Sequence, residues 1–219
     1  MAEHTSLVLV EGKSEEKVFP ELCRKCGVAI NFDIKSENCL NEVKKSIKTH
    51  LKSTNRYRKL WIVIDADTDF EAAWNSIKYI LRQSGKYEVS GKEKMPEDGF
   101  IIKPINPEDL TVGVWIMPNN KDVGMLEDFM LGLIPDTDGL LPLASRDVEA
   151  LDLDRDLYPG IFKRVHKSKA EIHTWLAWHD TPGETLSVAV QKHLFATDKD
   201  LCLRFAAWLD HLNNPEDQP

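Results

Sequence analysis

Cysteine is scarce in this chain. Four cysteines in 219 residues cannot staple a disulfide scaffold, and a reducing cytoplasm is the expected home. Long apolar runs are missing too. The longest, such as Leu60 to Ile64, fall far short of the ~20 residues a membrane span needs. The start, Met1-Ala2-Glu3-His4-Thr5, has no basic stretch ahead of an apolar one, so no secretory signal is expected. Nor is there an excess of positive charge: the net value is −8, which argues against a simple basic coat for nucleic acid. Internal repeats and low-complexity segments are absent. What is present is ordinary for a globular protein, with 42% apolar and 29% charged residues and enough length for a real core.

The net charge hides segregation. Asn41 to Leu60 holds seven basic residues (Lys44, Lys45, Lys48, Lys52, Arg56, Arg58, Lys59) against Glu42 alone. Asp122 to Asp156 reverses this, with ten acids and two arginines. Lys163, Arg164, Lys167 and Lys169 then form a second basic segment without an acid. Solvated helix faces account for any one run by itself. Two basic segments flanking a carboxylate-rich region also suit an anionic substrate approaching a metal site.

Periodicity predicts an alternation of strands and helices. Ser6 to Val10 is a continuous apolar run, expected as a strand buried on both faces. Ser14 is the expected N-cap of a helix that bends at Pro20 and ends at Gly27. Val28 to Ile34 alternates like a strand. Leu40, Val43, Ile47 and Leu51 recur at helical spacing, with the lysines on the other face. Leu60 to Ile64 is a second fully apolar strand, and Phe70 to Ser84 a helix closed by Gly85. Shorter strands are expected at Phe100 to Lys103 and Val112 to Met117, and a helix near Met125 to Leu133. The pattern predicts an α/β fold with a largely parallel sheet over residues 5–135. Residues 136–219 read as a helical C-terminal extension packed on that core.

The chemistry is expected at the carboxyl ends of the strands, where parallel α/β sheets place their sites. Both apolar strands end in acid there. The first runs into Glu11-Gly12-Lys13-Ser14-Glu15, the second into Asp65-Ala66-Asp67-Thr68-Asp69. In an extended segment Asp65 and Asp67 point to one side, and Glu11 and Glu15 project toward one place across a strand–helix junction. Clustered carboxylates repel and need protons or a cation to coexist. Oxygen ligands without His or Cys select Mg²⁺ or Mn²⁺.

Val8-Leu9-Val10-Glu11-Gly12-Lys13-Ser14-Glu15 followed by Ile62-Val63-Ile64-Asp65-Ala66-Asp67 resembles a Toprim domain. That is the metal-binding catalytic fold of topoisomerases, bacterial primases and the OLD (overcoming lysogenisation defect) nucleases. The Glu-x-x-x-Glu form resembles the OLD branch. The whole chain, with Gly124-Met125-Leu126-Glu127-Asp128-Phe129 and Ser168-Lys169-Ala170, resembles a small group of standalone Toprim-like proteins. The resemblance implies a Toprim-like mostly parallel sheet and Mg²⁺-dependent hydrolysis of nucleic-acid phosphodiesters, with one or two ions. Glu11 would be a metal ligand or a proton-transfer group. Asp65 and Asp67 would hold a first metal, and Glu15 with Glu127 or Asp128 a second, with Asp69 as an extra acid. Nucleic acid would lie on Lys44, Lys45, Lys48, Lys163 and Arg164. A homodimer or a partner protein stays open. The other reading is a degenerate Toprim module that binds metal, nucleotide or a protein partner, as in phage defence.

OLD-type sites also place a lysine near the phosphate, and Lys167 and Lys169 are the local candidates. Ser168-x-x-Glu171 reads as a capping box, which puts Lys169 in the first turn of a helix that buries Ile172 and Trp175. A cation there opposes the helix dipole, so a negative partner is expected, and Lys169 is favoured over Lys167.

Other signals are weaker. Gly12-Lys13-Ser14 mimics a P-loop but has Leu7 where the motif needs glycine, which excludes that ATPase class. Asp65-Ala66-Asp67-Thr68 mimics the nucleophile motif of haloacid-dehalogenase-like phosphatases and stands as a minor alternative. Cys23-x-x-Cys26 falls within a helix and has no partner pair. His166, His173 and His179 read as packing or surface residues, and the six tryptophans as core or interface.

Overall fold

The computed structural model describes residues 5–52 and 56–214. Strands β1 (Ser6–Val10), β2 (Asp33–Ser36), β3 (Lys59–Asp65), β4 (Phe100–Ile102) and β5 (Thr111–Met117) form one sheet in the order β2-β1-β3-β5-β4. All neighbours are parallel except the β4–β5 pair. The helices are α1 (Lys13–Cys26), α2 (Leu40–Lys52), α3 (Phe70–Ser84), α4 (Leu126–Gly132), α5 (Leu141–Leu153), α6 (Lys167–Ala177), α7 (Leu186–Gln191) and α8 (Asp200–Asp210). The α/β architecture is therefore the expected one. No helix among the described residues is long and apolar enough to cross a membrane.

The continuous apolar strands follow from burial on both faces. Leu7, Leu9, Leu60, Ile62, Ile64, Val112, Val114 and Ile116 point to one face, where Val43, Ile47 and Leu51 of α2 and Trp74, Ile77 and Leu81 of α3 cover them. Val8, Val10, Trp61, Val63, Trp115 and Met117 point to the other. That face is covered by α1, by α4 and by the C-terminal helices, through Phe19, Phe129, Ile172, Trp175, Phe205 and Trp208 among others. The C-terminal segment thus shares one hydrophobic core with the sheet.

The last helix is seated by aromatic contacts. The Phe205 ring meets Phe19, Trp115 and Phe129 edge-on at 4.9, 5.1 and 5.3 Å between centroids, a favoured geometry for such pairs. Trp61 Nε1 donates to the Trp208 carbonyl at 3.1 Å. Trp61 needs room on β5, and glycine supplies it: a Cβ at Gly113 would fall 2.6 Å from the Trp61 ring. Lys59, expected on the basic surface, is instead 3% exposed. Its ammonium donates to the carbonyls of His211 (2.7 Å) and Asn214 (2.9 Å) just beyond α8. A buried cation here satisfies carbonyls that a helix end leaves unpaired.

Three local expectations need correction. The second strand is not Val28 to Ile34 but Asp33–Ser36, because pairing with β1 begins only at Leu7 opposite Asp33. Val28 and Ile30 instead pack their side chains on the core edge without laddering. The first helix starts at Lys13 with Gly12 as N-cap, so Ser14 lies inside it. Trp178 is not core, being 41% exposed, whereas the other five tryptophans are buried.

Trp208→Ala should lower the free energy of unfolding by roughly 3–5 kcal/mol, the range for removing a large buried aromatic. Urea denaturation measures it. A loss below about 1 kcal/mol would mean that α8 does not belong to the cooperative core.

Candidate functional site

β3 outruns β1 at the carboxyl edge. Val10, the last residue of β1, pairs with Val63, while β3 continues to Asp65 opposite Met117 of β5. Glu11, leaving β1, therefore lies beside the end of β3, and its Oε1 accepts the Asp65 backbone N–H at 2.9 Å. Asp65 Oδ1 in turn accepts the Leu126 N–H at 3.1 Å, which ties the start of α4 to the sheet. Asp67 has a left-handed backbone (φ 50°) and exchanges backbone hydrogen bonds with Gly124 at 2.8 and 2.9 Å. Strand alternation ends at Asp65, so that bridge, not an extended run, positions Asp67. Gly124 is constrained as well: its φ is 136°, and a Cβ would meet Asp128 Oδ2 at 2.7 Å.

These elements surround a cavity of about 310 Å³. Glu11, Glu15, Asp65, Asp67 and Glu127 line it, as do Lys13 and Lys169. Glu15 and Glu127 are nearly inaccessible, at 6% and 5% exposure. Lys169, in the first turn of α6, reaches back to Glu127 with 3.3 Å between Nζ and Oε1. The negative partner expected for a cation at that helix start is thus Glu127.

Burial and mutual repulsion shape the protonation of this group. Burial pushes the Glu11 carboxyl from its ordinary 4.5 up to about 7. The Asp65 amide opposes the rise, Asp67 and Glu15 add to it, and Lys44 favours the ionised form. Asp65 is raised well above the usual carboxylate range by burial, then by Glu15, Glu11, Glu127 and Asp67. Glu15 is raised by burial and by Glu127, against the pull of Lys169. Five acidic side chains thus share one part-buried space with two lysines, and acids so grouped raise one another's pKa. Among the described residues, no group of three or more His, Cys, Asp or Glu side chains is arranged so that it could hold a metal ion. Glu11 and Asp65 are both engaged with backbone amides.

The other candidates lie elsewhere. Asp128 closes the first turn of α4, accepting the Met125 N–H at 2.8 Å and the Ser168 hydroxyl at 3.1 Å. Asp69 caps α3, accepting the Ala72 N–H at 2.8 Å, and is not among the residues lining the cavity. Lys167 pairs with Glu149, and Arg164 lies 3.5 Å from Asp152. Lys163 is exposed. On α2, Lys44 is half-buried, Lys45 pairs with Glu42, and Lys48 is exposed beside a different cavity. The Ser168–Glu171 capping box does not form. A 3₁₀ turn, Arg164–His166, runs straight into α6, so Ser168 is already helical and turns to Asp128, while Glu171 accepts from Ser145.

Among the polar residues lining the cavity, Lys13, Ser14, Asn38 and His166 were not singled out for the site from the sequence. His166 sits two residues before the Ser168-Lys169 motif, a proximity that could have flagged it. Asn38 carried a weaker signal, as a turn residue after the second strand.

The raised Glu11 pKa gives stability a definite pH dependence. The folded chain holds this proton more tightly than the unfolded chain. The contribution of Glu11 to stability is therefore fully present below about pH 4.5 and is lost as pH rises through about 7, up to roughly 3 kcal/mol. Glu15 and Asp65 shift in the same direction. Urea denaturation between pH 4.5 and 8 should show the decline, and Glu11→Gln should make it shallower. Parallel parent and variant curves would remove Glu11 from the repulsive group.

Comparison with known proteins adds one finding. No curated protein and no solved structure matches the chain. Residues 5–214 match the family model described as "Protein of unknown function (DUF3226)", and the chain belongs to that family.

Proposed function

We propose that this protein is a Toprim-like hydrolase of nucleic-acid phosphodiesters that works with Mg²⁺ or Mn²⁺. The observation behind this reading is the meeting of Glu11, Glu15, Asp65, Asp67 and Glu127 around one cavity at the carboxyl edge of a parallel sheet, with Lys169 beside them. The donors are carboxylate oxygens, the set that Mg²⁺ and Mn²⁺ prefer. Asp65, Asp67 and Glu11 would hold a first cation, and Glu15 with Glu127 a second. Such ions supply Lewis acidity and an ionised water.

The chain's own groups have distinct tasks in this reading. Glu11 would either ligate the first cation or, left uncoordinated, pass a proton to or from the reacting water. Lys169 offers its ammonium to the charge that develops on the phosphoryl oxygens, and its bond to Glu127 keeps it in place. Asp128 and Ser168 act at one remove, by locking the start of α4 against the start of α6.

A second reading also has an observation in its favour. Glu11 and Asp65 are already hydrogen-bonded to backbone amides, and among the described residues no group of three or more His, Cys, Asp or Glu is arranged so that it could hold a metal ion. That suits a degenerate Toprim module that binds a nucleotide or a protein partner without cleaving. The haloacid-dehalogenase-like alternative gains no such support.

The assay is incubation of the pure protein with labelled single- and double-stranded DNA and with RNA, in Mg²⁺ and in Mn²⁺. Glu11→Gln and Asp65→Asn should abolish cleavage. Lys169→Ala should lower kcat by about 10²–10³-fold, the cost of losing one preorganised charge-stabilising group. Lys167→Ala should stay within a few-fold of the parent. No cleavage of any substrate would favour the binding module. Millimolar Mg²⁺ should also raise the melting temperature of the parent more than that of Asp65→Asn, since a ligand bound only by the folded state stabilises it. An unchanged melting temperature in both metals would count against the hydrolase reading.

A further inference from the structure

A second cavity, of about 560 Å³, lies between α2 and α3. Its volume falls within the roughly 300–1,000 Å³ of small-ligand sites. Both helices run back from the carboxyl edge, so their ends at Lys52 and Ser84 reach the amino edge, away from the acidic cavity. Leu51 and Ile80 contribute apolar surface, Lys48, Lys52 and Lys86 contribute ammonium groups, and Tyr79 presents a ring that is 61% exposed. No acidic residue is among those lining it. The acid that bears on it is Asp109, paired with Lys86. Lys48 and Lys52 have no ion pair among the described residues.

Structural roles account for only part of this. Lys52 in the last turn of α2 suits the helix dipole by itself. Lys48 lies before that turn, and Tyr79, at 61% exposure, leaves most of its surface to solvent. Unpaired cations around a flat aromatic ring on an apolar floor match a ligand that is both phosphorylated and aromatic. Base stacking on a side-chain ring and phosphate pairing with lysine are the two contacts such a ligand needs.

We infer that the cavity between α2 and α3 binds a nucleoside phosphate, with the base stacked on Tyr79 and the phosphate held by Lys48 and Lys52. The unit is either a free nucleotide or one nucleotide of a single strand. The site does not depend on the acidic cavity or on hydrolysis. Lys44, Lys48 and Lys52 follow one another at four-residue steps, roughly 6 Å apart along α2. A strand would use this row, whereas a free nucleotide would need only its end.

Fluorescence anisotropy in EDTA tests this with two probes, a labelled single-stranded 12-mer and a labelled adenosine nucleotide. The parent should bind at least one of them. Tyr79→Ala should weaken that binding roughly 5- to 150-fold, the range for losing one stacked base, while Tyr79→Phe retains it. Lys48→Glu with Lys52→Glu should weaken it and flatten its salt dependence. Weakening by Lys44→Glu with the 12-mer assigns the strand. Binding of the mononucleotide that ignores Lys44→Glu assigns the free nucleotide. No binding of either probe by the parent, or parent-like affinity in both Tyr79→Ala and the double lysine variant, overturns the inference. Thermal melts of each variant show that the fold is kept. Cleavage in Mg²⁺ is scored separately, so loss of this site and loss of the hydrolase reading give different patterns.

Discussion

The central strands are apolar on both faces, and this constraint governs the rest of the molecule. β1, β3 and β5 are stable in water only where helices cover both sides. On one side α2 and α3 are sufficient. On the other, α1 and α4 share the task with helices from the C-terminal third, locked by Phe205 and Trp208 and by the buried Lys59 beneath the end of α8. The same folding-back that completes the core carries α6 to the carboxyl edge, where Lys169 meets Glu127. Core formation and assembly of the candidate site are therefore one event.

That arrangement concentrates negative charge where the sheet can least dissipate it. Glu11, Glu15 and Asp65 are all pushed toward their protonated forms by burial and by one another. A fold needs no such group for stability, because apolar residues of similar size would cost less in the same space. Backbone amides of Asp65 and Leu126, together with Lys169, relieve part of the strain without neutralising it. A bound cation, as proposed above, would supply the remaining compensation. Positive charge elsewhere is divided: Lys59 and Lys167 are engaged with carbonyls or acids, while Lys48 and Lys52, beside Tyr79, have no ion pair among the described residues.

Membership of the family of unknown function places the chain without assigning it chemistry. The functional reading rests instead on the convergence of acids from β1, β3 and α4 with a lysine from α6. Four segments far apart in the chain contribute to it, and a solvated helix face would not require such an arrangement.

Much of this was legible in the sequence, because the signals were local. Continuous apolar runs marked strands buried on both faces, helical spacing marked α2 and α3, and Gly27 and Gly85 marked helix ends through their left-handed backbones. Acids directly after apolar strands marked Glu11 and Asp65. What the sequence could not supply depended on partners distant in the chain. Strand alternation suggested the side on which Asp67 lies, but its backbone turns left-handed and is held by Gly124, 57 residues on. Asp69 and Asp128 looked like ligands because their type and position matched, yet neither is among the residues lining the cavity. Lys59 looked like surface charge until the chain's end closed over it. Ser168 looked like a helix cap, and the preceding 3₁₀ turn made it a bond to Asp128 instead. Periodicity and residue type determine which elements form and which faces they bury. Which charged groups end up as neighbours is decided only by tertiary packing, since Coulomb and hydrogen-bond energies depend on distances in space and not on separation along the chain.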